Sequence, residues 1–318
     1  MKNRKIVLVG CGAVGTSFLY AAINQGLAQE YVLIDINYEW AEGHALDLDD
    51  CNPVLERPFY SVNAGTYQDC ADADMVVVTA GRPQKEGETR LEMIADNAKI
   101  MQEVALAIKA SGFEGISLIA SNPVDILTTV YQKVTGFNPH TILGSGTSLD
   151  SARLRRLIGK KLNVHPSSVH AYIMGEHGDS AMTAWSCASI LGKRISDYVE
   201  EGRLTLEDLK ECQSDAINMA YKIIEKKKST FYGIGVVLAH IARIIIRGEN
   251  QAILIGAYLS GEYGQNGIYT GVPAVVSNYG WERIIKLHIN NEEQEQFNKS
   301  CQKIHEAVTV AFQAIGIQ

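Results

Sequence analysis

A histidine framed by glycines, His177 in Met174-Gly175-Glu176-His177-Gly178-Asp179, directly follows an apolar run and is placed to face a cavity. Most of the eight histidines read as satisfied surface or core residues, and few are framed in this way. Asp150 is a candidate partner. A carboxylate bonded to one ring nitrogen fixes the tautomer and favours the imidazolium, leaving the other nitrogen to exchange a proton with a substrate. Asp150 also reads as a helix N-cap or first-turn acid ahead of Ser151-Ala152-Arg153, and the two readings are compatible. Asp150 and Arg153 are three residues apart on a helix and share a face. Arg155 lies about 200° of helical rotation from Arg153 and points elsewhere. The planar fork of Arg153 therefore belongs with Asp150, where it can clamp a carboxylate through two hydrogen bonds, and Arg155 needs another partner.

A second chemical pattern is Gly10-Cys11-Gly12-Ala13-Val14-Gly15, directly after a short apolar run and before an apolar helix. The hexapeptide alone is weak evidence, but its context is the informative one. The glycines permit a tight turn and close backbone approach, and the helix N-terminus offers free N–H groups to a pyrophosphate. Asp35 follows 20 residues after Gly15, at the end of the next apolar run, where its carboxylate can accept both ribose hydroxyls of an adenosine. That charge repels a 2′-phosphate, and Ile36-Asn37 supply no basic residue to hold one, so NAD is favoured over NADP. A glycine turn with a capping Asp is the plainer alternative; strand, loop, helix and acid together favour the nucleotide. Cys11 reads as a small loop residue rather than a redox thiol. A third segment, Ala80 to Arg90, is polar and bounded by glycines, and it reads as a lid over the site. A solvated loop would explain its charges but not Arg90 at a helix start, where a cation opposes the helix dipole.

The elements that must position these residues follow from periodicity. Ile6–Val9, Tyr31–Ile34, Met75–Thr79 and Ile116–Ala120 are nearly all apolar, as strands covered on both faces of a parallel sheet are. Leu91, Ile94, Ala98, Met101, Ala105 and Ile108 form one helical stripe between the third and fourth. This alternation predicts an α/β fold, a doubly wound parallel sheet of the Rossmann type over residues 1–146, with the 80–91 segment as its lid. From residue 147 to 318 the pattern changes to a second, α+β catalytic domain. It has a helix over Leu149–Leu162, a strand over Val169–Met174 and helices around Leu206–Lys227 and Tyr232–Arg247. Strands near Ala252–Leu259 and Tyr269–Asn278 and a helix over Asn291–Ile315 complete it. No repeat or Pro/Ser-rich linker separates the halves, so a cleft between closely packed domains is expected to hold a small ligand.

Composition narrows the function classes. In 318 residues, 46% are hydrophobic and 20% charged, which suits a globular chain and not a disordered or fibrous one. Twenty-nine basic against 36 acidic residues give a net charge of −7, which argues against broad binding to nucleic acid or an anionic membrane. The longest apolar stretch, Gly233 to Ile246, is interrupted by His240 and Arg243, so no membrane span is expected. The N-terminal apolar run ends in glycines and reads as a strand rather than a signal segment. Six scattered cysteines without a CxxC pair indicate neither a zinc ribbon nor a disulfide framework, and no metal site is expected. Reduced thiols fit a cytoplasmic location.

Taken together, these motifs resemble the bacterial L-lactate dehydrogenases of the lactate/malate dehydrogenase superfamily, in order and over essentially the whole chain. The resemblance rests on the glycine loop with Asp35, Ala80-Gly81 with Gln84-Lys85 and Gly87-Glu88-Thr89-Arg90, Ser121-Asn122-Pro123-Val124-Asp125, Leu149 to Arg153, and Gly175 to Asp179. It implies hydride transfer between NADH and pyruvate to give L-lactate. His177 would be the acid/base, oriented by Asp150; Arg153 would hold the substrate carboxylate; Arg90 would polarise the ketone; Asn122 would lie by the nicotinamide and the hydroxyl. NAD would be held by Gly10, Gly12, Val14, Gly15, Asp35, Thr79, Ala80, Gly81 and Asn122. Malate dehydrogenases carry Arg at the position of Gln84, so the neutral amide implies a neutral substrate side chain. Thr230 stands at the position that crowds the substrate methyl and disfavours branched 2-keto acids.

Malate and L-2-hydroxyisocaproate dehydrogenases are the nearest rivals, opposed by Gln84 and Thr230. NAD-dependent glycosidases share a similar start but need a metal, and a non-enzymatic NAD-binding sensor would need none of Arg90, Asp150, Arg153 and His177 together. Glu86 departs from the family, whose loop usually has Pro there. The resemblance extends to the allosteric members, in which residues at the positions of Arg155 and His170 bind fructose 1,6-bisphosphate across a two-fold axis of a homotetramer. His170 is seven residues before His177, so in a continuous strand the two would face opposite sides. An ion pair with a neighbouring acid is the plainer reading of Arg155.

Overall fold

Strands buried along nearly their whole length require helices on both faces of their sheet, and the first half of the chain builds that arrangement. The computed structural model describes residues 4–82 and 90–317, apart from the side chain of Arg90. In chain order the first half forms β1 (Lys5–Val9), α1 (Ala13–Asn24), β2 (Glu30–Ile34), α2 (Tyr38–Asp49), β3 (Ser61–Ala64), β4 (Met75–Val78), α3 (Arg90–Ala110), β5 (Ile116–Ile119), α4 (Val124–Thr135) and β6 (Ile142–Gly144). The second half forms α5 (Ser148–Leu162), the two-residue strands β7 (Val169–His170), β8 (Ile173–Met174), β9 (Met182–Thr183), β10 (Ser189–Ile190) and β11 (Lys193–Arg194), then α6 (Ile195–Glu200), α7 (Leu206–Lys227), α8 (Tyr232–Arg247), β12 (Gln251–Ser260), β13 (Asn266–Ser277), β14 (Gly280–Ile284) and α9 (Asn291–Ala314).

The strands from β6 through β5, β4, β1 and β2 to β3 are parallel neighbours. The chain starts in the middle, and its winding reverses between β1 and β4. At that switch point the carboxyl ends of both strands open a crevice, the usual ligand position of a doubly wound sheet. The fold is thus a Rossmann domain joined to a second domain carrying both helices and strands. β3 and β6 were not legible as strands: β3 is a four-residue edge strand, half of it polar, and β6 has three residues. Along α3 the expected stripe is buried from Ile94 to Ile108, while Leu91 is 56% exposed.

The sheet does not stop at the junction of the two halves. β12, β13 and β14 pair antiparallel and continue it past β6, giving nine strands among the described residues. Gly144 and Gly256 stand opposite each other at the join, and Gly146, at φ +49°, would drive a Cβ into the Gly256 backbone. Glycine at 146 lets the chain turn into α5 while the two backbones touch. A smaller cluster, including Leu154, Ile158, Val169 and Ala216, packs α5 against α7. The strand expected over Val169–Met174 is divided: β7 pairs with β10, and β8 pairs with β9 in a separate ribbon. Gly175, at φ +91°, then turns the chain into a bend. Strand alternation therefore does not relate His170 to His177. No helix among the described residues is long and apolar enough to cross a membrane.

Candidate active site

Three charged side chains converge where the bend after β8 meets the first turns of α5. His177 Nδ1 lies 2.6 Å from Asp150 Oδ2, and Arg153 Nη1 donates to Asp150 Oδ1 at 3.2 Å. Thr147 is the N-cap residue of α5, so Asp150 is a first-turn acid and the histidine partner at once. Burial alone would raise the Asp150 carboxyl, but His177 and Arg153 outweigh it and hold it below the usual carboxylate value. The Asp150 charge in turn raises the imidazole from 6.5 to about 9, against the opposing effect of burial. The Arg153 guanidinium is lowered by burial, which its contact with Asp150 offsets in part. The His177 side chain retains 30% of its exposure, so the ring is presented to a cavity while its Nδ1 edge is buried.

That cavity is a cleft of about 250 Å³ lined by Asn122 and Pro123 at the start of α4, by Asp150, Arg153 and His177, and by Met93, Ile217, Ala220 and Tyr221. Asn122 is exposed at its mouth, joined to Pro123 by a cis peptide. Its carbonyl accepts from Asn97 Nδ2 at 3.1 Å, and the same amide brackets the backbone of Arg82 through both its N–H and its carbonyl. The sequence reading missed Asn97, Met93 and the α7 residues. Asn97 had a signal, an amide inside an otherwise apolar helical stripe. Ile217, Ala220 and Tyr221 recur at helical spacing and look like ordinary core.

A larger cleft of about 670 Å³ opens at the switch point. Gly10, Gly12, Asp35, Thr79, Ala80 and Gly81 all line it. Gly10 has φ +98°, and a Cβ there would stand 2.6 Å from the Ala80 nitrogen, so only glycine fits the turn. Gly12 faces open space, which leaves its backbone accessible to a ligand. Gly15 is buried in α1 against the Gly10 carbonyl and Val14 is half-buried beside it; both shape the loop from behind. Asp35 Oδ2 accepts from the Cys11 N–H at 2.7 Å and Oδ1 from the Asn37 N–H at 3.0 Å. Trp40, also missed by the sequence reading, holds the next peptide of the loop: its indole N–H donates to the Cys11 carbonyl at 2.9 Å. The Cys11 thiol is buried and pushed up to about 12, so it stays protonated and inert. Glycine loop, acid and cleft fit a dinucleotide with an unphosphorylated ribose.

The remaining candidates lie apart. Thr230 is half-buried between α7 and α8 and is not among the residues lining the smaller cleft. Arg155 is half-buried near Tyr172 and His240, and His170 is exposed on β7. No acidic side chain pairs with Arg155 among the described residues, so the ion pair expected as its plainer role is not found. Gln84, Lys85, Glu86, Gly87, Glu88 and Thr89 lie outside the described residues, as does the side chain of Arg90, whose backbone begins α3.

Comparison with known proteins agrees with this geometry. Residues 4–144 match the lactate/malate dehydrogenase NAD binding domain, and residues 147–315 match the lactate/malate dehydrogenase alpha/beta C-terminal domain. The chain is 59% identical over 304 residues to an L-lactate dehydrogenase of Mycoplasma mycoides subsp. mycoides, covering 96% of each chain. It is 57% identical over 314 residues to that of Mesoplasma florum, covering 99% of each. Among solved structures, the minor L-lactate dehydrogenase from Enterococcus mundtii in its ligands-bound form superposes with a TM-score of 0.94 at 46% identity, over 96% of this chain and 98% of that one. The chain belongs to the lactate/malate dehydrogenase family, and its cofactor is NAD.

Proposed function

We propose that the protein is an L-lactate dehydrogenase interconverting pyruvate and L-lactate. The observation that carries this reading is the convergence of His177, Asp150 and Arg153 on one small cleft beside Asn122. With His177 protonated, these three side chains carry one net positive charge, which suits a substrate with a single carboxylate. The Arg153 fork grips that carboxylate through the donors that Asp150 leaves free. The ring nitrogen of His177 not bonded to Asp150 gives its proton to the substrate oxygen, and Asp150 holds the tautomer that allows this. NAD, when bound, supplies or accepts the hydride. Asn122 steadies the reacting oxygen and Arg90 polarises it, while Met93, Ile217 and Ala220 offer apolar surface to the methyl group. Gln84 sets the preference for that small, uncharged group.

The assay follows NADH absorbance with pyruvate, oxaloacetate and a branched 2-keto acid. Pyruvate should be preferred, and Gln84→Arg should move the preference toward oxaloacetate by at least tenfold. A parent enzyme that prefers oxaloacetate, or a variant with unchanged selectivity, would overturn the assignment. As a finer reading, the enzyme works in the cytoplasm as a homotetramer in which Arg155 and His170 of paired subunits take fructose 1,6-bisphosphate. The absence of an acidic partner for Arg155 among the described residues and the exposure of His170 support that placement. The bisphosphate should lower the pyruvate concentration needed for half-maximal rate in the parent and have no effect in Arg155→Gln and His170→Ala. Light scattering checks the assembly.

A further inference from the structure

Asp125 is a carboxyl group that the chemistry above leaves unused. It sits in the first turn of α4 and is 2% exposed. Its Oδ2 accepts the backbone N–H of His177 at 2.7 Å, while its Oδ1 is buried without a partner among the described residues. The preceding amide is held in a parallel way from the other side. The N–H of Glu176 donates to Ser300 Oγ on α9 at 2.8 Å, and Ser300 Oγ lies 3.1 Å from Ser180 Oγ. Two consecutive amides of the histidine bend are thus pinned from two helices, one by a carboxylate and one by a hydroxyl. The hydroxyl fixes position alone. The carboxylate fixes position and also puts a negative charge at the histidine, in a buried site where charge is weakly screened.

We propose that Asp125 is a positioning residue for His177, holding its backbone through the amide and, when ionised, acting beside Asp150 to keep the imidazole protonated. This rests on the reading of His177 as the proton donor. The groups facing Asp125 are His177 and Glu176 from the bend, Asp150 from α5 and Cys301 from α9. Cys301 is pushed up to about 12 by burial and stays neutral, so its thiol does not compete. Burial raises the Asp125 carboxyl to about 7, below the histidine. Asp125 is therefore ionised where His177 titrates, and it loses its charge as the pH falls through about 7, where His177 then releases its proton more readily.

The test is the titration of the His177 ring by NMR in protein carrying isotope-labelled histidine, with the resonance assigned by its loss in His177→Asn. Asp125→Asn, Asp125→Ser and Ser300→Ala are compared with the parent, and bound NADH fluorescence checks that each is folded. Either Asp125 variant should weaken the ring's proton affinity at least tenfold, and Ser300→Ala should change it less than twofold. In pyruvate reduction the alkaline limb of kcat/KM should move to lower pH in the Asp125 variants, whereas Ser300→Ala should lower kcat and leave the limb in place. Asp125→Ser gives the answer if the buried amide of Asp125→Asn prevents folding. A ring midpoint unchanged in a folded Asp125 variant, or shifted equally in Ser300→Ala, would overturn the proposal. Because the titration is read without turnover, a parent inactive on pyruvate would refute the functional reading while this result still decides the role of Asp125.

Discussion

Asp150→Asn separates the electrostatic role of the His177–Asp150 pair from its mechanical one. The amide keeps the shape of the carboxylate and removes its charge. Asp150 is the largest influence raising the imidazole from 6.5 to about 9, and burial acts in the opposite direction, so the variant ring should return to 6.5 or below. That fall is roughly two and a half pKa units, on the order of 3 kcal/mol at 1.36 kcal/mol per unit. With a midpoint near 9, the parent ring is almost fully protonated at pH 7 and half protonated at pH 9. With a midpoint near 6.5, the variant ring is roughly a quarter protonated at pH 7 and well under about 1% at pH 9. Proton occupancy alone therefore predicts about a fourfold loss of kcat/KM for pyruvate at pH 7 and a loss of more than about 100-fold at pH 9. The amide N–H can also face Nδ1 and favour the wrong tautomer, which adds a loss independent of pH. Lactate oxidation needs the neutral ring, so it escapes the occupancy loss. Initial rates in both directions between pH 5.5 and 10, followed by NADH absorbance, give the two limbs. An equal loss at every pH and in both directions would refute the electrostatic account and leave Asp150 a purely mechanical support.

Other consequences are as concrete. Trp40→Phe keeps an aromatic ring at the larger cleft but removes the bond to the Cys11 carbonyl; a loss of about 1 kcal/mol should weaken NADH binding roughly fivefold in a fluorescence titration, and unchanged affinity would free Trp40 of any part in shaping the glycine loop. Asp35→Ser should narrow the preference for NAD over NADP by at least tenfold in kcat/KM, and an unaltered ratio would remove Asp35 from ribose recognition. The Asp125 carboxyl is raised from 3.8 to about 7, so its share of stability is complete below pH 4 and is lost as pH rises through 7. The melting temperature of Asp125→Asn should gain on the parent over that interval, and parallel curves would show that the group is not perturbed.

The parts of this fold that were legible in the sequence are those where one physical demand dominates. Ile6–Val9 and Met75–Val78 must be apolar on both faces, and α7 and α8 carry long amphipathic stripes, so periodicity found them with their limits nearly intact. β3 and β6 are short and serve the edge and the junction, where backbone pairing matters more than side-chain burial. The break between β7 and β8 was hidden because Ala171 and Tyr172 look as extended and apolar as their neighbours. Only the competing pairings with β10 and β9 pull the segment apart. At the site, His177, Asp150 and Arg153 were legible because charges beside apolar elements need a reason. Asp125 was quoted only as the end of Ser121-Asn122-Pro123-Val124-Asp125, since an acid in a first helical turn is already explained by the helix dipole.

The join between the halves explains why such a site can work. In the proposed reaction, proton transfer from His177 requires the imidazole to be fixed relative to a cofactor held some elements away, and small displacements of reacting groups are costly. The glycine loop and Asp35 belong to the first half of the chain, whereas His177, Asp150 and Arg153 belong to the second. A flexible linker would let these two sets drift. Instead β6 pairs with β12, so one sheet runs through both, and the Gly144–Gly256 contact leaves no side chain between the strands to act as a bearing. α4 adds a second tie: it begins at the Asn122–Pro123 peptide lining the smaller cleft, and its Asp125 reaches across to the His177 amide. α9 supplies a third through Ser300. Rigid registration of His177 against the glycine-loop cleft therefore comes from backbone pairing and buried polar bonds across the junction, which is where substitutions far from both clefts should do the most harm to the proposed reaction's rate.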